Sequence, residues 1–132
     1  MVRYNTIEEA SGKPLEVTDD PPGRDQWFPW VTVSENGKVH IVYHDRREDP
    51  NNYLTHTYVA TSRNGGRYWR ERRVSTEASD YHASYFGLGI FIGDYNNIAA
   101  CGNKFYALWT DARAVYDTDI YMKFARSRWR RW

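Results

Sequence analysis

The sequence predicts an all-β protein assembled from repeated antiparallel units, and three observations carry that prediction. Aromatic residues make up 17% of the 132 residues, with six Trp and eleven Tyr; these side chains favour strands, and the chain is dense in turn residues. Short strand-like runs alternate with Asn-Gly and Gly-Gly turns. One pattern also occurs twice: Lys38, Val39, Tyr43, Asp45 and Arg47 become Lys104, Phe105, Trp109, Asp111 and Arg113 on adding 66, and Tyr58 becomes Tyr121 on adding 63. Tyr-His-Asp-Arg-Arg and Trp-Thr-Asp-Ala-Arg are thus one feature met twice, with a shorter loop in the second copy.

In order, residues 1–26 form an N-terminal segment with strands expected over Val2–Ile7 and Leu15–Thr18, closed by Asp19-Asp20-Pro21-Pro22-Gly23. Residues 27–75 form the first unit. Strand Trp27–Ser34 turns through Glu35-Asn36-Gly37 into Lys38–His44, and after the charged loop Asp45–Asn52 the strands Leu54–Thr61 and Arg70–Ser75 make a second hairpin. Residues 76–94 connect the units, and the apolar run Phe86–Gly93 within them needs a covering surface. In residues 95–132 the pattern returns: strand Asn96–Cys101, turn Gly102-Asn103, strand Lys104–Thr110, loop Asp111–Thr118 and strand Asp119–Ala125. A counterpart of Ser62 would fall at Arg128, so this unit has no fourth strand of its own.

The turn between the third and fourth strands is the most specific stretch. Asn64-Gly65-Gly66 supplies three residues that tolerate positive φ, Ser62 and Asn64 can bond the turn's backbone, and Trp69 can fold its indole over it. Ser62, Asn64, Gly66 and Trp69 resemble the Asp box S-x-D-x-G-x-T-W of the bacterial neuraminidase (BNR) repeats, with Asn64 in place of Asp and Tyr68 in place of Thr. The resemblance covers roughly residues 13–126 and is to sialidase-like proteins. It implies a β-propeller, here two four-stranded blades with the second incomplete, completed by oligomerisation or belonging to a six-bladed ring. Strand faces agree: Val39, Ile41 and Tyr43 oppose Val42, and Phe105, Ala107 and Trp109 oppose Tyr106 and Leu108, so both faces are apolar and should be covered.

A sialidase, as the resemblance implies, needs three arginines on the substrate carboxylate, a Tyr nucleophile with a Glu partner, and an acid/base Asp. That set is not assignable here; Phe28-Pro29 lacks the Arg of the family's F/Y-R-I-P element. The weak catalytic candidates are Asp94 and Tyr95, entering an inner strand. The ligand-binding candidates are Asp45, Arg46, Arg47, Asp111 and Arg113, as a rim for an acidic or polyhydroxyl ligand. The preferred reading of these pairs is structural, an Asp–Arg contact that fixes the loop after each repeated strand. Trp30, Tyr43, Trp69 and Trp109 are assigned to core.

Other classes find little support. With 18 basic against 17 acidic residues the net charge is +1, so no global field favours nucleic acid, although Arg126–Trp132 interleaves arginine with tryptophan. No apolar run approaches the roughly 20 residues of a membrane span, the N-terminus lacks signal-peptide character, and the compartment stays open. Cys101 alone makes no internal disulfide. His40 and His44 lie about 13 Å apart on one strand face, and His56 and His82 lack ligand-like spacing, so no metal and no cofactor is expected. The first-ranked function is a non-catalytic carbohydrate-binding or interaction module, ahead of a fragment or subunit of an exo-sialidase, with a structural assembly unit third. The expected partner is a second copy. Residues 1–20 carry a net charge of −3 and residues 113–132 a net charge of +4, suiting a head-to-tail ring, a trimer before a dimer.

Overall fold

The structure, a computed structural model, describes residues 14–83, 85, 86, 89, 90, 92–114 and 116–127. It is all-β, with two antiparallel sheets. The first has the order β1 (Gln26–Val33), β2 (Val39–Asp45), β3 (His56–Ser62) and β4 (Trp69–Arg73). A small hairpin of β5 (Tyr85–Phe86) and β6 (Gly89–Ile90) lies in the connection, after a 3-10 turn at Tyr81–Ala83. The second sheet has the order β7 (Asn97–Cys101), β8 (Lys104–Asp111) and β9 (Asp119–Arg126). Both sheets are open rather than closed into a barrel or ring. Among the described residues no helix is long and apolar enough to cross a membrane. The strand expected over Val2–Ile7, most of the Arg126–Trp132 tail and part of Phe86–Gly93 lie outside the described residues. Leu15–Thr18, expected as a strand, joins no ladder.

Register carries the repeat. β2 pairs β3 with Tyr43 opposite Tyr58 and Asp45 opposite His56; β8 pairs β9 with Trp109 opposite Tyr121 and Asp111 opposite Asp119. Both pairings keep the sequence offsets, because a one-residue slip would exchange the Val42 face for the Tyr43 face, and in the second sheet would turn Phe105 and Trp109 out of the core.

The sheets pack by unlike faces. Val42 and Val59 of the first sheet, with Val74 just after β4, meet Ile98, Phe105, Ala107, Trp109 and Ala125 of the second. Tyr43, Tyr58 and Ala60 form a separate cluster on the far face of the first sheet, where Val17, Ile41 and Trp69 pack against them. The N-terminal segment covers part of the far face, while Val31 and Val33 of β1 on the same face are exposed. The outer face of the second sheet is not covered: Tyr106, Ile120, Met122 and Phe124 are all exposed. The expectation of cover on both faces thus holds only in part for the first sheet and fails for the second. At the hairpin tips the sheets join through Gly102 N donating to Glu35 Oε2 (2.7 Å), Asn36 Nδ2 donating to Asn103 Oδ1 (2.9 Å) and Lys38 Nζ bonding Asn103 Oδ1.

β1 carries a bulge between Trp27 and Trp30. Pro29 has no N–H for the ladder, so the extra residue is accommodated there. Phe28 takes φ 53°, a costly conformation for a bulky residue, and its carbonyl accepts from Asn96 Nδ2 at 3.1 Å.

The turn after β3 is built as its residues suggest, with one difference. Ser62 Oγ accepts from Gly66 N (2.9 Å), and Asn64 Oδ1 accepts from Tyr68 N (3.0 Å) and from Ser62 Oγ (3.0 Å). Only Gly65 (φ 69°) and Gly66 (φ 89°) use positive φ; Asn64 works through its side chain. A Cβ on Gly66 would stand 3.5 Å from the Trp69 ring, so γ-methyl groups would strike it. Gly66→Val is expected to cost about 2 kcal/mol and lower Tm by roughly 5–10 °C. Asn64→Asp, which keeps the acceptor, should leave Tm unchanged or raised; thermal unfolding followed by circular dichroism checks both.

Candidate functional site

Each long hairpin ends on a buried aspartate held by an arginine two residues on. Asp45 and Asp111 have side chains with no solvent exposure. Arg47 donates from Nε (2.8 Å) and Nη2 (2.6 Å) to Asp45 Oδ2, its backbone N donates to Oδ1 (2.6 Å), and Gln26 Nε2 adds a fourth bond at 3.0 Å. Arg113 donates from Nε (2.7 Å) to Asp111 Oδ1 and from Nη2 (2.8 Å) to Oδ2, while Trp109 Nε1 donates to Oδ2 at 2.8 Å. The guanidinium carbons stack on Tyr58 at 4.5 Å and on Tyr121 at 3.9 Å, again equivalent positions. Burial opposes the Asp111 charge, but the Arg113 fork and the Trp109 donor outweigh it and hold the carboxyl below its usual range. Burial likewise opposes the Arg47 charge, and bonds to Asp45 and Glu71 overcome it, raising its pKa. Arg46 points elsewhere, bonding Asp25 Oδ2 at 2.9 Å and lying 4.7 Å over Trp27.

Behind the first fork is a pair that sequence reading missed. Tyr43 Oη donates to Glu71 Oε2 at 2.6 Å, and Arg47 bridges both. Burial, then the adjacent Glu71 carboxylate, pushes the Tyr43 phenol well above its normal range. Tyr58, which donates to Glu48, is raised by the same two causes. Both phenols stay protonated donors, the reverse of an activated nucleophile. Their signal in sequence was only an unremarkable Glu71 on β4.

His40 and His44 are fully buried on the face that meets the second sheet. His40 Nδ1 pairs with Thr61 Oγ1 at 2.9 Å and its ring lies 5.4 Å from Phe105. His44 sits among Trp27, Phe28 and Tyr81, with Nδ1 3.2 Å from Thr57 Oγ1 and Nε2 3.3 Å from Tyr81 Oη. Burial lowers both pKa values to about 4; for His40 the Lys38 charge adds to it, whereas for His44 Asp111 opposes it. Among the described residues no group of His, Cys, Asp or Glu has the geometry of a metal site.

A recess with aromatic walls lies where β1 approaches β7. A cleft of about 280 Å³ is lined by Trp30, Tyr95, Asn96, Leu108, Thr110 and Ile120, among others. Trp30, expected in the core, is 44% exposed and Tyr95 74% exposed, so two aromatic surfaces face solvent. Asn96 is 2% exposed; its Nδ2 is used by Phe28 O, and its buried Oδ1 has no partner among the described residues. Gly93 fixes the approach: a Cβ there would meet Thr110 Oγ1 at 2.7 Å. Asp94 is exposed beside Tyr95. Of the residues expected to act, Tyr95 reaches this cleft, while the two Asp–Arg pairs stand at the strand ends. Asn96 escaped notice because nothing in Asn96-Asn97 tells which amide is buried. In comparisons with known proteins, no family model, curated protein or solved structure matches the chain.

Two measurements probe these groups. Arg47→Ala and Arg113→Ala each leave a buried carboxylate without its counter-charge and should cost about 3 kcal/mol, against about 1 kcal/mol or less for Arg46→Ala; denaturant titration reads the difference. The histidines set an acid limit. Their folded pKa values, about 4, lie below the ordinary value of about 6.5, so the unfolded chain binds more protons between those values. Stability is full above pH 6.5, falls as pH drops towards 4 and then levels for these groups, by roughly 3 kcal/mol per histidine. His44→Gln should flatten that slope in pH-dependent unfolding.

Proposed function

We propose that the chain is a non-catalytic carbohydrate-binding module built on two successive blades of a sialidase-type propeller, and that the ligand occupies the Trp30–Tyr95–Asn96 cleft. The blade reading is supported by the offsets of 66 and 63 carried into the pairing of β2 with β3 and of β8 with β9. It is supported too by the unlike-face packing and by β7 lying alongside β1 and β2. The observation that carries the ligand reading is a cleft walled by exposed Trp30 and Tyr95 and lined by Asn96, whose buried Oδ1 has no partner among the described residues. That acceptor is out of solvent's reach as it stands, and a small turn of the amide into the cleft would let an entering donor satisfy it. A sugar hydroxyl is such a donor, and the apolar face of a pyranose fits an indole or phenol ring.

The lining holds no Arg or Lys, which favours an uncharged sugar over a sialic acid. Arg47 and Arg113 serve the loops through Asp45 and Asp111 in this reading, and Asp94 has no catalytic part. A glycan array followed by isothermal titration tests it. Trp30→Ala and Tyr95→Ala should each weaken binding about tenfold or more, roughly 1.4 kcal/mol, with Tm nearly unchanged. Turnover of a fluorogenic sialoside that is lost in Tyr95→Phe would place the chain among the glycoside hydrolases instead. Silence in both assays would leave a purely structural unit.

A further inference from the structure

Inside one chain, the face of the first sheet bearing Val42 and Val59 packs on the face of the second bearing Phe105, Ala107 and Trp109. The repeat then assigns each remaining face a counterpart. Val42 and Val59 correspond to Leu108 and Met122, which lie on the open outer face of the second sheet with Tyr106, Ile120 and Phe124. Phe105, Ala107 and Trp109 correspond to Val39, Ile41 and Tyr43, on the far face of the first sheet. The two faces left over are therefore complementary by the same rule that joins the sheets already in contact.

A second correspondence lies in the N-terminal segment. Val74, at the end of β4, packs on the second sheet among Phe105, Ala107 and Trp109. Val17 packs on the first sheet against Ile41, Tyr43, Tyr58 and Ala60. Val17 thus stands to the first sheet as Val74 stands to the second, which makes 14–18 the counterpart of β4 for a sheet that would precede β1. Among the described residues that segment pairs with no strand, and the outer edge of β9 has no partner either.

We infer that a second copy of this chain docks the outer face of its β7–β8–β9 sheet on the far face of the first sheet, and that its β9 edge takes residues 14–18 as a fourth strand. Register follows from β3 and β4, where Tyr58 faces Arg73 and Val59 faces Arg72: Tyr121 of the second copy faces Glu16, and Met122 faces Leu15. The exposed positions explain themselves: Leu15 is 67% exposed, Met122 58% and Ile120 72%, and docking covers all three. The contact is heterologous, so it repeats until a ring closes. It stands independently of the sugar-binding reading.

The test uses full chains in a Cys101→Ser background, one carrying Leu15→Cys and the other Met122→Cys, mixed and oxidised. Residues directly opposite in an antiparallel pair fall within disulfide reach, so the mixed disulfide should exceed that of an Asn51→Cys control, in the exposed loop after β2, by about tenfold. Light scattering of the unaltered chain should give a multiple of 15.6 kDa, a trimer by preference; a closed dimer supports the same interface. Phe124→Asp, on an exposed position, should return the single-chain mass with an unchanged circular dichroism spectrum. A single-chain mass at every concentration overturns the inference. Assembly that persists in Phe124→Asp without the 15–122 disulfide also overturns it, by placing the contact elsewhere.

Discussion

The structure depends on unlike faces of like sheets packing together. Val42, Val59 and Val74 offer a flat aliphatic surface, and Phe105 and Trp109 offer aromatic relief that fits it. Had the two sheets met by equivalent faces, the pair would have been symmetric and complete, with two identical outer surfaces. Because they meet by opposite faces, the pair is directional, and its outer surfaces differ. One carries Tyr43, Tyr58 and Trp69 and is partly roofed by Val17; the other carries Ile120, Met122 and Phe124 and is bare. Apolar burial scales with the area removed from water, so the bare face is where the repeat leaves stabilisation unrealised.

The same packing sets the polar chemistry at its margins. His40, His44 and Asp111 are buried on the faces that meet, Asp45 is buried on the far face of the first sheet, and each finds a local answer. Asp111 keeps its charge through a bidentate Arg113 fork and the Trp109 donor, and Asp45 takes two bonds from Arg47 on Oδ2 with further N–H donors. His40 and His44 give up theirs and hydrogen-bond as neutral rings to threonine hydroxyls. A paired charge and a neutral ring are the two ways a polar group survives in a low-dielectric interior.

Much of this was legible in sequence because the repeat is a register statement. Once Tyr43–Tyr58 and Trp109–Tyr121 share their offsets, the strands, their order within each sheet and the equivalence of the Asp–Arg pairs follow. What was not legible depends on distance across the chain. Trp30 reads as core by composition, yet the Phe28–Pro29 bulge and the position of β7 leave it partly exposed. Glu71 gains its meaning only when Tyr43 and Arg47 converge on it. Asn96 becomes a candidate only when its amide nitrogen is found engaged and its oxygen is not. Leu15–Thr18 has strand-like composition but no strand within reach to pair with, which is a property of its surroundings rather than of its residues.

The cleft and the bare face share Leu108 and Ile120, so the two proposals bear on one another. Inside the chain the position equivalent to the cleft lies over His44, the counterpart of Thr110, and Tyr81 fills it, bonding the Thr110 carbonyl at 2.5 Å and reaching His44 Nε2 at 3.3 Å. Tyr81 belongs to the long connection 74–96. The corresponding stretch before β1, residues 19–25, is far shorter and has no tyrosine to insert. A second copy docked by the repeat's rule would therefore wall the cleft without plugging it. The cleft lined by Asn96 would then be an enclosed site between copies, where exclusion of water strengthens each hydrogen bond a bound sugar makes.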